Sequence, residues 1–243
     1  TYDDAGRLTG FYDTTGLPWG YGYADTTGCL SNDAGRNTNR TAFNTVLGAQ
    51  ASCYDRADRL TSAPGIATTS YDDHGNTTNL GTSQLAWDAA DRHRSTSAGG
   101  TTVNYTRDPL DRIVTRAVAG STTSRFRHVG FDDNPDLMLD TNNALVERYL
   151  SLPGGTSLTL KETGTQVWAH PNLHGDIMLT TNSTGTATSS RLHYDPYGRP
   201  LPYNTTNAAD TMTGQTDHGW HGQAGRITDH QTNLPPIIQM GAR

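Results

Sequence analysis

The chain has 243 residues, a formal net charge of -6, an isoelectric point near 5.8 and a mean hydropathy of -0.65. The acidic balance excludes the basic footprint of a nucleic-acid binder. No apolar run approaches the roughly 18–20 residues that cross a bilayer as a helix. With 33% hydrophobic residues and 26 glycines, the composition predicts many short strands and turns around a thin core.

A repeated motif dominates the chain. The first copy reads Tyr2-Asp3-Asp4-Ala5-Gly6-Arg7-Leu8-Thr9. A worn copy without the aromatic follows at Ser31-Asn32-Asp33-Ala34-Gly35-Arg36. Full copies return at Tyr54-Asp55-Arg56-Ala57-Asp58-Arg59-Leu60 and at Tyr71-Asp72-Asp73-His74-Gly75-Asn76-Thr77. Trp replaces Tyr in Trp87-Asp88-Ala89-Ala90-Asp91-Arg92, and Arg107-Asp108-Pro109-Leu110-Asp111-Arg112 again lacks the aromatic. The last copy is Tyr194-Asp195-Pro196-Tyr197-Gly198-Arg199.

Each copy predicts a hairpin tip. The aromatic and Asp end one strand, a type I turn follows, and the fifth position turns left-handed. That position holds only Gly or Asp: Gly6, Gly35, Asp58, Gly75, Asp91, Asp111 and Gly198. These residues tolerate a positive φ best. A three-residue loop with a bulge is built this way. The Arg then opens the return strand within reach of the Asp. Between tips, Thr101–Tyr105 and Ile113–Val114 alternate apolar and polar residues as half-buried strands do. The copies are unevenly spaced, which suits a meandering sheet better than a strict solenoid.

Lys161 is the only lysine, so nearly all positive charge is Arg. Two readings stand: two-point pairing with carboxylates, or a genome rich in Arg codons. Cys29 and Cys53, the only cysteines, fit a bridge and a buried free pair equally well. Candidate chemistry is sparse. His170 and His174 are four apart; on one strand they would sit about 13 Å apart, too far for one ion. His218, Trp220 and His221 cluster with Asp217 and Asp229 as the nearest carboxylates in sequence. The acidic run Asp132, Asp133, Asp136 and Asp140 lacks the alternating pattern of a calcium loop. No metal or other cofactor is expected.

The motif copies resemble the YD-repeat, or RHS-repeat, family: bacterial RHS and wall-associated proteins, the C component of insecticidal toxin complexes, and the animal teneurins. Later stretches add to the resemblance. His170-Pro-Asn-Leu-His-Gly-Asp176, with the copy at Tyr194, looks like the approach to an RHS core. Gly219-Trp-His-Gly-Gln223 and Gln239-Met-Gly-Ala-Arg243 look like its end. The resemblance implies an all-β fold in which YD hairpins form a continuous curved antiparallel sheet, a sector of a hollow shell. It divides into a hairpin array at 1–120 and a late RHS-core-like region at 121–243, continuous with the first. The chain opens at Thr1, inside a repeat and without Met, so it reads as an internal fragment.

The function implied is structural and non-enzymatic: a wall that encloses or shields a C-terminal toxin cargo, in a secreted or cell-surface bacterial protein. Its partners would be the rest of the parent chain and that toxin domain, with no nucleic acid and no membrane span. The family's autoproteolytic motif is absent from the sequence, so no catalytic residue carries over. The motif residues themselves are the expected structural site. The alternative is a surface adhesion or self-assembling module that binds glycans or like copies through open sheet edges.

Overall fold

A computed structural model describes residues 1–13, 16–24, 28–31, 33–36, 38–45, 48–198, 200, 217–229, 231, 233–234 and 237–238. It is almost entirely antiparallel β, with one single-turn 3-10 helix, Gly222–Ala224, among the described residues. The chain forms two compact units, Thr1–Leu85 and Ala86–Arg243.

The first unit carries a four-stranded sheet in sequence order: β1 (Gly10–Tyr12), β2 (Pro18–Gly22), β3 (Ala42–Thr45) and β4 (Gly48–Ala51). Alternation along β2 sends Trp19 and Tyr21 to one face, and with Tyr23 they meet Phe11 and Phe43. The rings stack: Tyr21 and Phe43 are 5.5 Å apart, Trp19 and Phe43 5.6 Å, and Phe11 and Trp19 5.9 Å. Such aromatic pairs add about 0.5–1.5 kcal/mol each beyond their area, which suits a core this thin. Cys29 and Cys53 are bridged, closing the open choice between bond and free pair. Then come β5 (Cys53–Tyr54) with β6 (Leu60–Ser62), and β7 (Thr69–Tyr71) with β8 (Thr77–Leu80). The boundary between the units falls inside β9 (Ser83–Trp87).

In the second unit nine strands follow one another in sequence order. They are β10 (His93–Ala98), β11 (Thr101–Arg107), β12 (Ile113–Val118), β13 (Ser121–Arg127), β14 (Leu137–Leu139), β15 (Leu145–Ser151), β16 (Ser157–Lys161), β17 (Gln166–Pro171) and β18 (Ile177–Thr181). A short pair, β19 (Thr228–Asp229) and β20 (Ile237–Ile238), ends the described residues. The connections between β10 and β13 use two kinds of turn. Two-residue turns at Gly99-Gly100 and Ala119-Gly120 join directly paired ends, Ala98 with Thr101 and Val118 with Ser121. All four turn residues have positive φ, the mirror-image turn that matches strand twist. The motif tip at Asp108 lies at the opposite strand ends. Val103 and Tyr105 are buried on β11 and Phe126 on β13, and Ala169, Ile177 and Leu192 form a small cluster with Tyr194.

Candidate functional site

The motif tips are cages built around one carboxylate. In the first copy Asp3 Oδ1 accepts the backbone N–H groups of Ala5 and Arg7, and Oδ2 accepts Arg7 Nε at 2.7 Å. The same three bonds recur at Asp55 with Arg59, Asp88 with Arg92 and Asp108 with Arg112. At Asp72 the amide of Asn76 takes the Arg role, 3.1 Å from Oδ2. Backbone bonds close each loop, as in Gly6 N–H to Asp3 O and Asp58 N–H to Asp55 O. All seven fifth positions are left-handed: Gly6, Gly35, Gly75 and Gly198 at φ 75, 76, 89 and 86°, and Asp58, Asp91 and Asp111 at 59, 57 and 65°. The register shifts at Tyr54, Tyr71 and Arg107 are the accompanying bulges.

Two copies differ from this plan. Ser31–Arg36 is not a strand tip: it lies within the long loop from β2 to β3. There Arg36 pairs with Asp33, one residue closer than in the other copies. Gly35 instead donates its N–H to Asp58 and lies under the ring of Tyr54, where a Cβ would stand 2.6 Å from Tyr54 Cδ2. In the last copy Asp195 is fully buried and accepts Tyr197 N–H, while Arg199 lies outside the described residues, as does the stretch Gln239–Arg243. Tyr2 is largely exposed.

The same cage also occurs without the Arg, and outside Tyr12-Asp13 without the Tyr as well. Asp13, Asp140, Asn172 and Asn182 each accept the N–H four residues on, and the third residue on is left-handed: Gly16, Asn143, Gly175 and Gly185. The signal that finds them is Asx-x-x-Gly or Asx-x-x-Asn alone.

The residue in the aromatic position links one hairpin to the one before. Tyr71 Oη donates to the carbonyl of Leu60, the residue after Arg59, at 2.7 Å, while the Arg59 guanidinium lies 4.8 Å over the Tyr71 ring. Tyr23 treats Leu8 and Arg7 the same way, at 2.9 and 4.5 Å. Arg107, in the aromatic position of its copy, donates Nε to His93 O, the residue after Arg92. His128 Nε2 pairs likewise with Ile113 O, the residue after Arg112. The loss of the aromatic therefore keeps the bond by changing the donor.

A second constellation joins stretches far apart in sequence. Residues 217–229 run as a strap against the second unit's sheet. Ile177 donates its N–H to Gly219 O, Gln223 to Gly175 O, and His221 to Asp176 Oδ1 at 3.0 Å. Gly222 is buried, and a Cβ there would stand 2.6 Å from Ile177. Trp220 covers Gly198, so the last motif copy meets the strap as well. His218 packs edge-on against Tyr149, 5.4 Å away, and its burial pushes its pKa down. Further along, Arg116 grips Asp229 with two nitrogens, and Tyr105 donates its hydroxyl to the same carboxylate. Beneath lies a cavity of about 170 Å³ lined by Tyr105, Arg116, Phe126 and Tyr149 among others.

The histidines fall differently from their sequence spacing. His170 is on β17 and bonds Thr181, whereas His174 sits in the following turn beside Asp176. Asp176 joins the terminal His-Trp-His cluster by accepting the His221 N–H, while Asp229 pairs with Arg116. Ligand atoms of His174, Asp176 and His221 all lie within 4.8 Å of one another. The acidic run disperses: Asp136 accepts Val129 N–H, Asp140 forms a cage, and Asp133 lies 3.6 Å from Arg226.

No protein-family model matches the chain. Its sequence is 28% identical over 168 residues to the tRNA3(Ser)-specific nuclease WapA of Bacillus spizizenii, and 29% identical over 168 residues to the tRNA nuclease WapA of Bacillus subtilis. Both matches cover 68% of this chain but only 7% of the relative. The fold matches the crystal structure of TcdB2-TccC3-TEV with a TM-score of 0.51 at 16% identity, over 100% of this chain and 13% of that one. The chain thus has an all-β fold of the RHS type, made of antiparallel YD-repeat hairpins. It spans a small part of the curated relatives it matches.

Proposed function

We propose that this chain is a structural, non-enzymatic segment of an RHS-type wall whose parent protein shields a C-terminal toxin cargo. The carrying observation is the hairpin-to-hairpin bond described above. Tyr23, Tyr71, Arg107 and His128 each dock on the carbonyl that follows an earlier Arg, and Tyr54 docks on Arg40 O instead, so a wall grows by adding hairpins and needs no deep core. Likeness to two WapA proteins and to the TcdB2-TccC3-TEV fold supports a toxin-related parent. The Cys29–Cys53 bridge suits an oxidising, secreted or cell-surface location. Among the described residues no helix is long and apolar enough to cross a membrane.

The test is protease protection in the parent protein. The segment following this wall should resist proteinase K in the native parent and be degraded once the wall is opened by denaturant. Equal degradation in both conditions would overturn the reading. Filaments of the chain alone in electron micrographs, or binding on a glycan array, would favour an adhesive module instead.

A further inference from the structure

The turn that the strap grips holds a feature that a wall does not require. Asp176 is buried, with its side chain 8% exposed, yet its ion-pair partner among the described residues is an imidazole, His174, which is charged only when protonated. Among the described residues no Lys or Arg pairs with it. Buried carboxylates are normally matched by a permanent cation or a metal. The other contacts of Asp176 are neutral donors: Asn172 Nδ2 at 3.1 Å and the His221 backbone N–H at 3.0 Å. A second imidazole, His221, completes the group, its ring centroid 4.4 Å from that of His174.

The backbone strengthens the case. His221 is left-handed, at φ 51° and ψ 25°, a conformation that few non-Gly residues adopt, with Asn, Asp and His the most frequent among them. Its N–H is held by Asp176, and Gly222 beside it allows no side chain against Ile177. The surroundings thus fix His221 in a left-handed conformation with its ring beside the other two ligands. Left-handed backbone outside Gly persists where the structure over-determines it, and it clusters at functional sites.

We infer that His174, Asp176 and His221 form a binding site for a divalent transition-metal ion, with zinc as the representative. Two imidazoles and one carboxylate suit zinc and leave a fourth position for water. In a tetrahedral zinc site neighbouring donor atoms lie roughly 3.3 Å apart, given bonds of about 2.0–2.1 Å. His174 Nδ1 and Asp176 Oδ1 are already 3.0 Å apart, and all three donors fit within 4.8 Å. The ion takes the place of the His174 Nδ1–Asp176 hydrogen bond and supplies the missing permanent charge. His174 is half exposed, which gives the ion a route in. Bound there, the ion staples the strap residues Gly219–Gln223 to the turn Asn172–Asp176.

The test is calorimetric titration of the chelator-stripped chain with zinc chloride, with cobalt(II) absorption as a second readout. The expected result is one zinc per chain, tetrahedral cobalt bands and a raised melting temperature. His174→Gln and His221→Asn should each weaken zinc at least tenfold. Asn tolerates the left-handed backbone at 221, and position 174 is half exposed, so both variants should keep the fold by circular dichroism. If His221→Asn does not fold, His174→Gln decides alone. Absence of zinc binding by the wild type, or wild-type affinity in the folded variants, overturns the site.

Discussion

At the scale of the residue, the cage carboxylate matters more than the tyrosine. Asp88 is held down to about 2 from its usual 3.8 by the side-chain and backbone hydrogen bonds of Arg92, which outweigh desolvation. Asp108 is lowered too: desolvation pushes it up, but the Arg112 bonds prevail. A depressed carboxylate stabilises the fold fully above its unfolded value and loses that contribution as pH falls through its folded value. The cages should therefore hold above about pH 4 and loosen progressively toward pH 2. Carboxyl NMR titration should place the Asp88 midpoint near 2; a midpoint near 3.8 would show that its cage does not form. Asp108→Ala should cost about 1.5–3 kcal/mol, the range for hydrogen bonds to a charged group, read by urea unfolding. The left-handed fifth position was legible in sequence because only Gly, Asp and Asn tolerate it at low cost. The cages at Asp140, Asn172 and Asn182 were not, because a motif anchored on Tyr and Arg passes over turns that need only the Asx side chain; Tyr12-Asp13 keeps the Tyr but has Leu17 where the Arg would stand. The hidden equivalence of Tyr71, Arg107 and His128 has a related cause: the shared property is a donor at one strand end, which three unlike side chains supply.

At the scale of the element, turns and strap make separate demands. Ala119 takes φ 49° in the two-residue turn between β12 and β13, where a Cβ is strained. Ala119→Gly relieves about 1–2 kcal/mol of left-handed strain and gives back about 0.4–1 kcal/mol through the freer unfolded chain, so it should stabilise the second unit by roughly 0.5–1 kcal/mol net. An unchanged or lowered urea midpoint would mean the turn carries no such strain. Gly222→Ala should act the other way. Its Cβ would collide with Ile177, so the strap should lift and the Ile177 amide, which bonds Gly219 O, should exchange faster in deuterium oxide. The strap also has a pH dependence. Burial beside Tyr149 lowers the His218 pKa, against a smaller opposing pull from Glu147. An imidazole buried neutral stabilises the fold fully above its unfolded pKa of about 6.5 and loses that contribution as pH falls through its lower folded value. His218→Phe should flatten the stability slope below pH 6.5, measured by urea midpoints across pH. The strap itself could not be read from sequence. Gly219–Gln223 stands out as a motif, but nothing in its spacing reveals that its carboxylate partner is Asp176, on a turn between two strands far upstream.

At the scale of the whole chain, stability comes from many shallow contacts and one covalent tie. The largest side chains buried to under 2% are Ile177 and Val103, followed by Thr41, Thr96 and Thr228. A core this polar leaves little surplus against chain entropy. In the first unit the rings of Phe11, Trp19, Tyr21 and Phe43 stack on one another, with the Arg40 guanidinium over Tyr21 and Phe43. There the Cys29–Cys53 bridge closes a separation of 24 residues, spanning the long β2–β3 loop together with β3 and β4. In the chain-entropy picture a loop of this size contributes about 3 kcal/mol by restricting the unfolded chain. Reduction should therefore speed amide exchange at Tyr21 and Phe43 by roughly two orders of magnitude, at 1.4 kcal/mol per tenfold. The Val103 amide of the second unit serves as the internal reference. Cys29→Ser with Cys53→Ser should reproduce the effect without reductant. If both leave exchange at Tyr21 and Phe43 unchanged, the stack and its hairpins hold the first unit alone, and the bridge reports on compartment rather than on stability.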